Sequence, residues 1–307
     1  MIFVAVGSAL VIVPQAVLSA ATDSLRLAAA TVLSTLDQII VILALLVVLW
    51  TGIFWGRRRR RDPLRNAPLR PNHLREDAVL LAVCVYLLAA VIINEVVGLL
   101  VSDPNEARAK LITGNGAHLC GIVASLLIAD RRFEGGWFRF LFGNPPARLG
   151  RRVAMVFFAS VLAIGVCPLI GEATVRIILH FWPSYLFDPH PTIKALHDGL
   201  QPRWVVVGLW IGAVGVAPIA EEFFFRGLLQ TFLVGIARNR WLAIGLTAIV
   251  FGIVHLSQPH TIVALTALGV LLGYAYERTG SLVPPIMIHA VFNLKTLIWD
   301  AFAGVTQ

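Results

Sequence analysis

Apolar runs recur along the chain near residues 33–55, 78–101, 111–129, 153–181, 204–236, 241–257, 261–277 and 282–303. A membrane-spanning helix needs roughly 20 predominantly apolar residues, and most of these runs approach or exceed that length. The pattern predicts an all-α fold, a polytopic transmembrane helical bundle of about eight spans. Residues 1–21 are apolar too, and no basic residue precedes their apolar stretch, which makes a poor secretory signal. The readings open for residues 1–30 are an extra span, an uncleaved anchor or a misassigned start. Residues 31–203 then form N-terminal transmembrane helices with basic loops, and 204–303 form a separate polar-bearing core.

Composition agrees with a membrane protein. Hydrophobic residues make up 58% of the chain and charged ones 14%, against about 25% charged in an ordinary soluble domain. The formal charge of +8 raises the question of nucleic acid. However, fourteen of the 25 basic residues lie in two loops. Eight fall in residues 57–77, beginning with the run Arg57 to Arg61, and six fall in 130–152. Neither loop interleaves aromatics with its charges, so no nucleic-acid partner is expected. Basic loops between apolar runs mark the cytoplasmic side. The turns at Arg238–Arg240 and Arg278 fall on the same side by alternation. Between 182 and 203, four prolines and the aromatics Trp182, Tyr185 and Phe187 suggest a partly buried cap on the opposite face. Cys84, Cys120 and Cys167 lie far apart in apolar runs, which supports neither a disulfide framework nor a CxxC metal site.

Ionisable groups within spans are rare and are usually paired or functional. Asp37 lies near a span end, and Glu172 and Arg176 stand one helical turn apart, as a local ion pair would. Asn94, Glu95, Asn115 and His118 occupy neighbouring spans and can pair between helices. Gly269 and Gly273 form a GxxxG that suits close packing.

The C-terminal third is richer. Pro218-Ile-Ala-Glu221-Glu222-Phe-Phe-Phe-Arg226-Gly227 puts two adjacent carboxylates and an arginine in one apolar helix. Glu222 and Arg226 share a face, while Glu221 points about 100° away. Counted from the turn at 238–240, Glu221 and His255 reach similar depths in an antiparallel hairpin, which makes them neighbours. His289 and Asn293 share a face of the last span. A glutamate and a histidine on one water form a general base, and a histidine with an asparagine can hold an oxyanion. No serine or cysteine nucleophile motif lies nearby, so covalent catalysis is unsupported. No cofactor is favoured. Zinc or another divalent metal is the alternative, with Glu221, His255 and His289 as ligands, although HExxH is missing.

These residues carry a resemblance. Glu221-Glu222-x-x-x-Arg226-Gly227, Phe251-x-x-x-His255 and His289-x-x-x-Asn293, with Glu277 to Leu282 between, resemble the motif series of the CPBP intramembrane proteases. That family includes CAAX prenyl endopeptidases and Abi-type members. The resemblance covers about 204–300. It implies a glutamate-dependent intramembrane endopeptidase, with Glu221 catalytic and His255 its partner in activating water. His289 and Asn293 would hold the oxyanion, with Glu222 and Arg226 in support. The expected partners are the lipid bilayer and a membrane-associated peptide or protein substrate. The arginine-rich, lysine-poor composition points to a bacterial inner (cytoplasmic) membrane, and to peptide maturation or sorting-tail processing over prenyl-CAAX cleavage. A non-catalytic immunity or scaffold protein and a proton-coupled transporter are the competing classes.

Overall fold

The computed structural model describes residues 2–6, 9–13, 15–57, 62–68, 72–100, 107–143, 149–187, 191–197 and 201–303. Strands β1 (Ile2–Val6) and β2 (Ala9–Val13) pair antiparallel, with Ile2 opposite Val13. This part of the apolar N-terminal segment is hairpin backbone, and helix α1 (Gln15–Arg57) follows it. Next come α2 (Glu76–Leu100), α3 (Ala107–Arg132), the short α4 (Gly136–Phe142), α5 (Leu149–Phe181) and the short α6 (Pro191–His197). Helices α7 (Arg203–Ile211), α8 (Ala217–Glu222) and α9 (Thr231–Ala237) form one continuous rod. Two π-helical stretches, Gly212–Val216 and Phe223–Gln230, join its pieces. The chain ends with α10 (Arg240–Ile253), α11 (Ile262–Thr279) and α12 (Val283–Ala303).

Among the described residues, six helices are long and apolar enough to cross a membrane: Ala28–Ile53, Glu76–Leu100, Ala107–Arg132, Arg152–Phe181, Arg203–Ala237 and Pro259–Thr279. The shorter apolar α10 and the more polar α12 complete the eight runs read from the sequence. The chain is a polytopic helical membrane bundle. Its surface fits that setting, since Leu99, Leu100, Phe157 and Leu127 are all exposed where a soluble protein would bury them.

The basic loops meet at one end of the bundle. His73 N–H donates to the Arg132 carbonyl at 2.7 Å, and Arg240 Nη2 donates to the Ala67 and Pro68 carbonyls at 3.3 Å. Leu282 N–H donates to the Leu141 carbonyl at 2.9 Å. The loop after α1, the loop after α3 and the α9–α10 and α11–α12 turns therefore pack together, as the positive-inside reading expects. Arginines 58–61 and 148 lie outside the described residues, as do 188–190 and 198–200 of the cap.

Two buried clusters flank the rod. One contains Ala82, Ala129, Phe140, Phe223, Leu228 and Tyr276. The other contains Ala163, Cys167, Phe225, Phe251, Leu268 and Leu272. Phe223 belongs to one and Phe225 to the other, so the rod runs between them. Its carboxylates are thereby held in the middle of the bundle.

Candidate active site

The site begins with a backbone irregularity. Ala217 N–H donates to the Gly212 carbonyl five residues back, a π-helical bond. In that register the Ala213 carbonyl would receive the N–H of residue 218, but Pro218 has none. The orphaned carbonyl instead accepts a hydrogen bond from Asn293 Nδ2 at 2.8 Å. Pro218 thus creates an acceptor, and Asn293 uses it to fix α12 against the rod. The second π stretch starts at Phe223, so Glu221 and Glu222 sit on a short α segment bracketed by widened turns. Such turns are frequent at functional sites.

The two carboxylates have unequal surroundings. Glu222 is fully buried, and its Oε1 accepts from Arg226 Nη1 at 2.7 Å and from His289 Nδ1 at 2.9 Å. Arg226, also fully buried, donates from Nη2 to the Gly269 carbonyl at 3.2 Å. Its guanidinium lies 4.7 Å from the Phe251 ring centroid, a cation–π contact. Glu221 points elsewhere, as the helical period requires, and its side chain is one-fifth exposed. Its Oε2 is buried without a hydrogen-bond partner and lies 3.9 Å from His289 Nε2. His289 therefore stands between the carboxylates, one on each ring nitrogen. Because a carboxylate only accepts, the hydrogen on Nδ1 points at Glu222.

His255 is held by Phe251 and makes no direct bond to Glu221. It lies just past the end of α10, where Nδ1–H donates to the Phe251 carbonyl at 2.8 Å. Its ring meets Phe251 edge-on at 5.2 Å, and Phe251 meets His289 edge-on at 5.7 Å. Among the described residues, no hydrogen bond or ion pair joins His255 to Glu221. Equal depth along two helices fixes height but not azimuth, and α10 gives way to a turn at Val254. A carbonyl can only accept, so a neutral His255 keeps its lone pair on Nε2.

The zinc alternative can be compared with this geometry. Among the described residues, no three His, Cys, Asp or Glu side chains are grouped so as to hold a metal ion. Glu221, His255 and His289 as arranged do not fit one.

Other polar groups surround the core. Tyr86 of α2 and His118 of α3 have ring centroids 5.6 Å apart. His118 Nδ1 is buried without a partner. His118 stood out in the sequence, whereas Tyr86 belongs to no motif and becomes visible only through packing. Asn115 donates to the Gly208 carbonyl at 3.5 Å, and Glu95 is exposed. Asp37 pairs with Lys295 at 3.1 Å and accepts from Trp299 Nε1, while Glu172 pairs with Arg176 at 2.6 Å.

The GxxxG serves a polar ladder. Arg226 binds the Gly269 carbonyl, and Gln230, one turn on, binds the Gly273 carbonyl at 3.2 Å. A Cβ on Gly273 would stand 2.7 Å from Gln230 Oε1, so glycine is what lets this amide approach. Gln230 also donates to Glu277 at 2.9 Å, and Glu277 pairs with Arg240 at 3.3 Å. This buried network went unread in the sequence, where Glu277 stood out only as part of a linking segment.

Residues 202–295 match the family model described as type II CAAX prenyl endopeptidase Rce1-like. The chain is 30% identical over 120 residues to the uncharacterized protein YpbD of Bacillus subtilis (strain 168). That stretch is 38% of this chain and 56% of that protein, so the chain spans about half the length of the curated relative it matches. No solved structure gives a significant match. The family is one of proteases, and the matched stretch contains the whole run from Glu221 to Asn293. Over residues 202–295, this helical membrane chain is similar to the CPBP/CAAX proteases.

Proposed function

We propose that the protein is an intramembrane endopeptidase that hydrolyses a peptide bond in a membrane-associated peptide or protein, with Glu221 as the base that activates water. The observation that carries this reading is Glu221 itself. Within the matched family stretch, it has a buried oxygen without a hydrogen-bond partner and a partly exposed side chain. Its neighbour Glu222 also has an unpartnered oxygen, Oε2, but is fully enclosed, and its Oε1 is held by both Arg226 and His289. One carboxylate is paired and closed off, and the other is partly open to an incoming water.

In the proposed reaction, the water oxygen bonds to the peptide carbonyl carbon as Glu221 takes its proton. Glu221 then returns a proton to the departing nitrogen as the C–N bond breaks. Such acid–base assistance contributes about 10²–10⁴-fold. His255 Nε2, carrying the lone pair that its Nδ1 bond leaves it, is the second acceptor for water. The oxyanion is assigned to His289 Nε2 and to the second amide hydrogen of Asn293, the first being held by Ala213. His289 donates from Nε2 when its ring carries both protons, which brings Glu221, Glu222, Arg226 and His289 to zero net charge. The proposed setting is a bacterial cytoplasmic membrane with the basic loops inside, and the proposed work is peptide maturation or sorting-tail trimming.

The test is digestion of a peptide library by purified protein in proteoliposomes, comparing wild type with Glu221→Gln. Cleavage products specific to the wild type are expected. They should persist after exhaustive chelation in protein that elemental analysis finds free of metal. Equal product sets from both proteins would overturn the assignment of Glu221, and activity restored only by zinc would return the site to the metal reading.

A further inference from the structure

A groove of about 780 Å³ runs between α2 and α3, away from the carboxylate site. That volume is in the range of small-molecule binding sites. Leu81, Val85, Leu119, Val123 and Leu127 form much of its wall. Leu81, Leu119, Val123 and Leu127 are each more than half exposed, so the groove opens sideways toward lipid. Its polar end is Asp77, Arg131 and Arg132, where the basic loops gather.

The charge at that end is not balanced. Arg132 is engaged by Asp77 at 2.9 Å. Arg131 is exposed and has no ion-pair or hydrogen-bond partner among the described residues. From Arg131 to Leu119 the slot follows α3 for twelve residues, about 18 Å at the helical rise. A hydrocarbon core is about 30 Å thick, so the slot reaches slightly past the midplane from the basic side. An apolar slot about one leaflet deep, with an uncompensated guanidinium at the headgroup level, has the chemistry of one molecule type. Basic pockets between transmembrane helices on the cytoplasmic side bind anionic headgroups.

We propose that this groove is a binding site for an anionic glycerophospholipid of the inner leaflet, with an acyl chain along α2 and α3 and its phosphate on Arg131. A zwitterionic lipid would fill the slot as well, but the cation beside its phosphate offsets much of the arginine's attraction. None of the groove residues belongs to the carboxylate site, so this assignment stands or falls apart from the protease reading.

Native mass spectrometry of the purified full chain tests it, with phosphatidylglycerol and phosphatidylcholine of matched chains titrated into detergent. Wild type should retain phosphatidylglycerol more tightly. Arg131→Gln should weaken that lipid about fivefold, the worth of one arginine near a headgroup, and weaken phosphatidylcholine less. Val123→Trp, which fills the slot, should weaken both. Equal retention of the two lipids by wild type would overturn the proposal. An Arg131→Gln protein that keeps full preference for the anionic lipid would do the same. The Arg131 change touches an exposed side chain, so the comparison survives even where Val123→Trp does not fold.

Discussion

The hydrogen bond from Asn293 to Ala213 leads to a prediction that needs no assumption about catalysis. Asn293→Ala leaves the Ala213 carbonyl without the side-chain donor that now meets it between the helices. An unsatisfied polar group of this kind costs about 1–3 kcal/mol. Hydrogen bonds between membrane helices sit at the lower part of that range, so about 1–2 kcal/mol is expected. The acceptor is orphaned because Pro218 lacks an N–H. In a Pro218→Ala background the helix can supply that donor, and Asn293→Ala should then cost under about 0.5 kcal/mol. The coupling between the two positions is therefore about 1 kcal/mol, although their side chains need not touch. Unfolding by denaturing detergent in mixed micelles, followed by far-ultraviolet circular dichroism, measures all four corners of the cycle. An equal cost for Asn293→Ala in both backgrounds would refute the reasoning, because the carbonyl would then have had another donor throughout.

Three further outcomes follow from the same geometry. Arg226→Met leaves the buried Glu222 carboxylate uncompensated and should destabilise by about 3–5 kcal/mol, while Glu222→Leu/Arg226→Met should recover most of that loss in the same titration. Gly269→Ala puts a Cβ 2.9 Å from the Ala248 backbone, pushing α11 off α10 at a cost of about 1–3 kcal/mol, whereas Gly245→Ala meets nothing and should be neutral or better. His255→Ala removes a side chain bonded only to a helix-end carbonyl, so kcat should fall about 100-fold or more with unfolding shifted by under about 0.5 kcal/mol.

The spans were legible because lipid imposes a length and an apolar composition, and the eight runs correspond to eight helices. The Glu222–Arg226 pair was legible as well, since an i,i+4 spacing places both on one face within a single helix. Relations between helices were harder to read. Depth counting made His255 the neighbour of Glu221, yet the structure gives Glu221 its ion-pair contact with His289, which also binds Glu222. Rotation about a helix axis decides such pairings, and a single sequence carries no measure of it. The π stretches were hidden for a related reason. Pro218 signals a missing donor, but the amide that meets the freed carbonyl belongs to Asn293, seventy-five positions away. Gln230, Glu277 and Arg240 looked unrelated until the glycines of α11 brought them together.

The central claim is that Glu221 activates water for peptide hydrolysis in the membrane. Comparative peptidomics of membranes from cells carrying wild type or Glu221→Gln, at matched expression, tests it most directly. Peptide termini should appear with wild type and vanish with Glu221→Gln, with their uncleaved precursor accumulating. Identical peptide sets, together with full biological activity of a folded Glu221→Gln protein, would contradict it and favour a non-catalytic role.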